Sequence, residues 1–518
     1  MFQFISGKEA ISKIKSGDRV CFIGNLNLLE PETILYELEQ SFLNLGSPRN
    51  LTVMFPVFLG SVEGRGTDYF SHEGMVKRVI GGSFAATLPN RKLNEMIFQN
   101  KVEAYNLPMG SFYSLLRSTG AGQPGLFTGV GLHTHADPRY NGGRLNEATK
   151  EDIVEVRELD GKEWLYYPRL KVDVSVIRGT SVDENGNISL EDEPTSQGIF
   201  STALAAKNNG GIVIAQVRRK IKCGSVHPRL MMVPGRMVDY VVLDERDEAE
   251  VSKYPQSVLG GIRQPIEELQ MTPLDHRKVI LRRIALELRK GNLVNIGFGV
   301  TAGLPKVAVE ENFLNDLQFS TEHGSIGGVP GWTGVFGVAM NPELVLDSNN
   351  VFDLYTGGML DVTCLGMGEV DKAGNVDNHK FSNLIAGSGG FNDIIYETPK
   401  ILFGGTFTAG GLKTSITDGK LVIDQEGKHK KFKTTIEGIT LNASVAREKR
   451  QQILYVTERA VFELTDKGIK LKEIAPGIDC KKDILSFLDF EVEVDKDLKL
   501  MDPRIFQPEK MGITLPSD

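Results

Sequence analysis

Two pairs of segments in this chain repeat one another in the same order, and that duplication restricts the fold more than any other feature. Residues 16–24 read SGDRVCFIG and residues 290–297 read KGNLVNIG, each a glycine–Asx turn, an apolar strand and a glycine. Residues 173–188, DVSVIRGTSVDENGNI, and 361–376, DVTCLGMGEVDKAGNV, share an apolar strand, a glycine, a valine–aspartate pair and a closing GN turn. Self-similarity of this kind points to two tandem units of related fold. The 518 residues are also too many for one core. The two elements lie further apart in the first half, which therefore carries an insertion. A join near residues 255–275 divides the chain into domains 1–265 and 272–518.

Each repeated strand is preceded by a helical pattern. GKEAISKIKSGD leads into RVCFIG. TPLDHRKVILRRIALELRKGN has an N-cap at Thr272 or Asp275, apolar positions at Val279, Ile280, Ile284, Leu286 and Leu288, and a terminal glycine before LVNIGFG. Helix, strand, glycine turn and helix in succession describe an α/β protein built of two related open sheets. Four later segments, KKFKTTIEGIT, QILYVTE, AVFELTD and IKLKEIA, are expected to form a β-rich elaboration on the second domain.

Composition narrows the function classes. At 41% apolar and 24% charged residues the chain is not disordered, and a net charge of −8 offers no footprint for nucleic acid. Cys21, Cys223, Cys364 and Cys480 are far apart and form neither a disulfide framework nor a zinc pattern. No run of about 18 apolar residues spans a membrane. The N-terminal segment is not a secretory signal, and a cytoplasmic setting is the expectation. His133 and His135 lack a third ligand at metal spacing, and DENGN at 183–187 lacks the later ligands of a calcium loop, so no metal site is assigned.

Four glycine-rich motifs carry the chemistry. NIGFGVTAGLP (295–305) places Gly297, Gly299 and Gly303 after an apolar strand, with Pro305 suited to a first helical turn. Such a turn brings backbone amides close to an anion, or is a tight strand-to-helix connection with no ligand. The same letters fit a dinucleotide fingerprint, with Glu322 in the place of a ribose-binding acid. STEHGSIGG (320–328) sets Glu322 between an apolar strand and a loop stripped of side-chain bulk. That suits a carboxylate nucleophile, and equally an ordinary glutamate at a strand end. IAGSGGFNDI (385–394) can present successive amides to an oxyanion, or turn flexibly. ILFGGTFTAGGLK (401–413) lacks the GK[ST] core of a P-loop, so ATP use is not indicated.

Taken together the motifs resemble the family I coenzyme A transferases of the fused single-chain type, which include propionate CoA-transferase and the acyl-CoA:acetate/3-ketoacid CoA-transferases. The resemblance runs through YNLPMGSFYSLLRSTGAGQPG (105–125), DPRYNGGRLN (137–146), NIGFGVTAG, TEHGSIGG, GSGGF, GTFTAGGL, YVTERAVF (455–462) and IAPGID (474–479). It implies that Glu322 becomes a glutamyl-CoA thioester, that Gly297, Gly299 and Gly303 form the CoA loop, and that Gly389 and its neighbour Gly390 supply the oxyanion amide. It places the acyl and carboxylate side in the first domain, with Asn106 and Met109. Relatives carry glutamine where this chain has Met109, and YDGGGLD where it has YTGGMLD (355–361), so the acyl pocket is expected to differ. Coenzyme A is implied as substrate and covalent intermediate, with no resident cofactor and no metal. Small carboxylic acids are the other partners, and the assembly is a homodimer or homotetramer. Acyl-CoA hydrolysis, NAD-dependent oxidoreduction and non-catalytic CoA sensing are the alternatives.

Overall fold

A computed structural model describes every residue except 1, 27, 61–63, 85–91, 245–253, 267–271, 332–335, 382–383 and 518. The chain forms two compact units. The first comprises Met1–Gly261 with Val345–Asp353 and His379–Asp393; the second comprises Ile262–Leu344, Leu354–Asn378 and Ile394–Asp518.

The sheet of the first unit runs, strand by strand, Gln3–Phe4, Tyr240–Leu243, Ile212–Lys220, Val174–Val182, Arg19–Phe22, Leu51–Phe55, Val76–Gly81 and Glu103–Asn106. Every neighbouring pair along that path is parallel. The central strand VSVIRGTSV is buried at all nine positions, as a parallel strand covered on both faces must be. The helix Gly7–Ile11 begins at Ser6 with a reciprocal Ser6–Glu9 capping box. The insertion anticipated in this half includes a separate antiparallel sheet of Gly125–Thr128, Lys162–Pro168 and Glu155–Leu159.

In the second unit the strands Gln318–Ser320, Leu293–Ile296, Val362–Gly366, Lys400–Gly404 and Gln452–Val456 are parallel neighbours in that order. Ala460–Thr465, Gly468–Ile474 and Glu493–Leu500 extend the sheet beyond them. The β-rich C-terminal region is thus largely a continuation of the main sheet rather than a separate addition. KKFKTTIEGIT differs from expectation: only His429–Lys430 and Phe432–Lys433 are strands, each paired over two residues, and the remainder finds no sheet edge to join.

The repeat is visible in three dimensions. Arg19–Phe22 and Leu293–Ile296 each pair in parallel with Val174–Val182 and Val362–Gly366, respectively. The GN turns then match bond for bond. Asp183 Oδ1 accepts the Asn185 and Asn187 amides at 2.9 Å, and Asp371 Oδ1 accepts those of Ala373 and Asn375 at 2.9 Å. In both, the second carboxylate oxygen accepts the asparagine side chain at 2.8 Å. The aspartate of DENGN therefore closes a turn.

The helix His276–Ala285 starts where the capping pattern placed it, with Asp275 accepting the Arg277 and Lys278 amides. It also buries Lys278, Arg282 and Arg283, which its apolar stripe does not predict. Ion pairs to Glu310, Glu311, Glu287 and Glu473 account for this.

Candidate active site

In the second unit, two loops leave adjacent parallel strands side by side. Asn295 and Ser320 are paired across the strands. Gly297 and Glu322 each stand two residues further on, at the carboxyl edge, where open α/β sheets take their ligands. The Glu322 side chain keeps 18% of its surface exposed.

Hydrogen bonds fix the loop that carries it. Thr321 donates its amide to Ser325 O (3.0 Å) and its hydroxyl to Gly337 O (2.8 Å), while the Gly324 amide returns to Thr321 O (3.0 Å). Beneath it, a buried polar chain ties four elements together. Ser320 Oγ meets the Tyr355 hydroxyl at 2.6 Å, Asn295 Nδ2 donates to that hydroxyl at 3.2 Å, and Thr363 Oγ1 donates to Asn295 Oδ1 at 3.0 Å. Burial, with the nearby Glu322 charge as a smaller cause, pushes the Tyr355 phenol well above its ordinary value despite the two side-chain bonds, so it stays protonated.

His323 is 1% exposed, and burial draws its pKa down to about 4. The imidazole is neutral at pH 7, so its 3.8 Å approach to Glu322 is not a salt bridge. Gly337 makes room for that ring: a Cβ there would overlap His323 Cδ2.

The glycine loop is a short 3₁₀ turn, Val300–Gly303, leading into the helix Leu304–Glu310 with Pro305 in its first turn. Gly299 opens it at φ +98°, a conformation favouring glycine, and a Cβ at this position would meet no atom within 4 Å. Phe298 is 49% exposed on this loop, and Phe336 stands edge-on to it at 5.2 Å and to His323 at 6.1 Å. An aromatic line therefore joins the glycine loop to the glutamate loop.

The first unit gathers Asn106, Met109, Gly389 and Gly390. Asn106, at the end of Glu103–Asn106, is fully buried and its amide is spent on the backbone. It donates to Gly82 O at 2.8 Å and Gly81 O at 3.2 Å, and accepts the Ser388 amide at 2.8 Å. Met109, 1% exposed, opens the helix Met109–Gly120 and donates its amide to Gly389 O at 2.9 Å. The Gly389 amide is committed to Gly82 O at 2.9 Å. Among the described residues the Gly390 amide has no such acceptor.

Sequence reasoning missed Asp393. Its buried carboxylate accepts the Gly110 amide at 2.9 Å and the Ser111 amide at 2.8 Å, capping the helix that Met109 begins. Burial pushes its pKa up to about 7, against the pull of these bonds and of the Ser111 hydroxyl. Nothing local announces a cap 283 residues away from its helix.

A strand-edge glutamate flanked by a glycine loop, with neither a nearby ionised histidine nor an ATP cradle, is suited to acyl transfer through a carboxylate, and the comparisons agree. Residues 4–244 match the family described as coenzyme A transferase. The chain belongs to the coenzyme A transferases and is itself a CoA-transferase. It is 40% identical to the acetate CoA-transferase YdiF of Escherichia coli (strain K12) over 515 residues, covering 99% of this chain and 96% of that protein. It is 39% identical to the caffeate CoA-transferase of Acetobacterium woodii, covering 99% of each. The crystal structure of the YdiF apoenzyme from Escherichia coli O157:H7 superposes with a TM-score of 0.94 at 39% identity, over 100% of this chain and 98% of that one. Its thioester complex with CoA superposes at 0.93, over the same shares.

Proposed function

We propose that Glu322 is the nucleophile of a ping-pong transfer that passes through a glutamyl-CoA thioester. The observation that carries this reading is its partly exposed carboxylate at the carboxyl edge, two residues beyond the strand and beside the glycine loop.

The carboxylate attacks the thioester carbonyl of an acyl-CoA. The carbon–sulfur bond breaks, CoA leaves as thiolate, and a mixed anhydride forms. The thiolate then attacks the Glu322 carbonyl and expels the donor carboxylate. A second carboxylate reverses both steps and departs as acyl-CoA. No proton is consumed and no electrons are exchanged, consistent with a neutral His323 beside the nucleophile. Gly297, Gly299 and Gly303 hold CoA through backbone amides. Of the two glycines at the oxyanion position, Gly390 is the better donor, because the Gly389 amide already serves Gly82. An oxyanion donor of this kind contributes about 10²–10³ in rate.

Asn106 acts by holding the 81–82 turn against Ser388, and Met109 lines the acyl side with Phe112. These apolar groups suit a short or modestly apolar acyl chain. The first unit serves the acyl and carboxylate side and the second carries the CoA loop and the nucleophile. Small carboxylic acids are the exchange partners, CoA is a substrate rather than a resident cofactor, and the enzyme works in the cytoplasm as a homodimer or homotetramer. Among the described residues no helix is long and apolar enough to cross a membrane.

Borohydride reduction after incubation with an acyl-CoA tests the reading. The peptide containing Glu322 is expected to carry the reduced side chain. Trapping at another carboxylate, or robust transfer by Glu322→Ala, would refute it.

A further inference from the structure

The second unit holds a cation that the transfer scheme does not yet use. Lys431 lies between the short strands His429–Lys430 and Phe432–Lys433, and its carbonyl accepts the Val370 amide at 2.8 Å. Its amine reaches the carboxyl edge of the parallel sheet through the space left by a glycine. A Cβ on Gly405 would stand 2.8 Å from Lys431 Nζ and 3.2 Å from Met367 Cγ. Gly405 and Met367 each directly follow a parallel strand, Lys400–Gly404 and Val362–Gly366. The glycine loop comes down on the same two strand ends: a Cβ on Gly404 would lie 2.8 Å from Thr301 Cγ2, and one on Gly366 would lie 3.2 Å from Phe298 O.

The charges around Lys431 are otherwise matched. Lys430 pairs with Asp489 at 2.6 Å and Lys433 with Glu369. Arg459 pairs with Glu426 and Glu458, both at 2.7 Å. Glu458 also accepts the Phe407 amide at 2.9 Å. Among the described residues, no carboxylate lies within 4.0 Å of Lys431 Nζ. Glu369 and Glu458, the two acids that face it, are engaged by those other partners. Enclosure lowers the amine's pKa to about 8, which leaves it mostly charged at pH 7 and poorly compensated.

Spacing suggests what compensates it. Three inter-strand steps separate the strand leading to Glu322 from the strand leading to Gly405, roughly 14 Å. A thioester at Glu322 has its pantetheine arm to bridge such a span before its phosphates begin. Resting on the reading of Glu322 and the glycine loop given above, we propose that Lys431 binds the phosphate groups of the CoA nucleotide.

The test compares acyl-CoA, acyl-3′-dephospho-CoA and acyl-pantetheine as donors for the wild type and Lys431→Met. A charge-assisted contact is expected to contribute about 10- to 100-fold, so kcat/KM should fall by that factor on acyl-CoA and stay level on acyl-pantetheine. Lys431→Arg should recover part of the loss. If the defect also vanishes on the dephospho donor, the 3′-phosphate is the group held; if it persists there, the diphosphate is. Equal losses on acyl-CoA and acyl-pantetheine would mark a structural role, and no loss on either would overturn the proposal outright. Excess acyl-CoA should still label Glu322 in Lys431→Met. Absence of label in the wild type would instead fault the nucleophile reading, leaving the donor comparison to stand by itself.

Discussion

The closest approach in the candidate site is between a ring and a missing side chain. His323 fills the space beside Gly337, whose φ of +92° also disfavours any side chain. Gly337→Ala is therefore expected to lower stability by about 2–4 kcal/mol and to slow transfer, because displacing His323 moves the residue before it. Denaturant unfolding and steady-state rates check both; a variant as stable and active as the wild type would contradict the packing described. Asp393 gives a pH-dependent prediction. Its ordinary value of 3.8 rises to about 7 in the fold. Stability linked to its protonated form is full below about pH 4 and lost as pH rises through about 7. Unfolding free energies of the wild type should fall relative to Asp393→Asn across that window, and a constant difference would show that the carboxylate is not desolvated. Glu322 was legible in the sequence because a lone acid after an apolar strand and before several glycines is a local pattern. Asp393, Tyr355 and Lys431 were not, because each acquires its partner from a distant segment.

At the scale of elements, the helix His276–Ala285 shows what an apolar stripe leaves out. Its Val279, Ile280 and Ile284 are fully buried as expected. Arg282 is equally buried, and donates to the carbonyls of Gln507 at 2.6 Å and Glu509 at 2.7 Å while lying 3.3 Å from Glu311. Glu311 in turn accepts the Met511 and Gly512 amides, each at 3.0 Å. The C-terminal tail is thus pinned through one arginine and one glutamate. Arg282→Met should cost about 3–5 kcal/mol by leaving buried carboxylates uncompensated, seen as a lower denaturation midpoint and faster proteolysis after residue 500. A loss below about 1 kcal/mol would place the pinning elsewhere. The helix start was readable because Asp275 caps its own first turn, and the strands QILYVTE, AVFELTD and IKLKEIA because each is short, β-branched and bounded by turns. The extent of KKFKTTIEGIT was not readable, since β-propensity does not supply a neighbouring edge.

For the whole molecule, the duplicated strand-and-turn unit predicted two related α/β sheets, and matching Asp183 and Asp371 turns show the same local solution reached twice. The halves have diverged where function requires it. Both sheets have a parallel core, yet only the second follows that core with the glycine loop and Glu322. Incubation with an acyl-CoA in the absence of any acceptor acid, followed by intact-protein and peptide mass spectrometry, tests the central claim most directly. The account predicts a gain equal to CoA less one water, confined to the peptide bearing Glu322, absent from Glu322→Gln and discharged by added carboxylate. Transfer activity without such an adduct, or an adduct on any other residue, would contradict it.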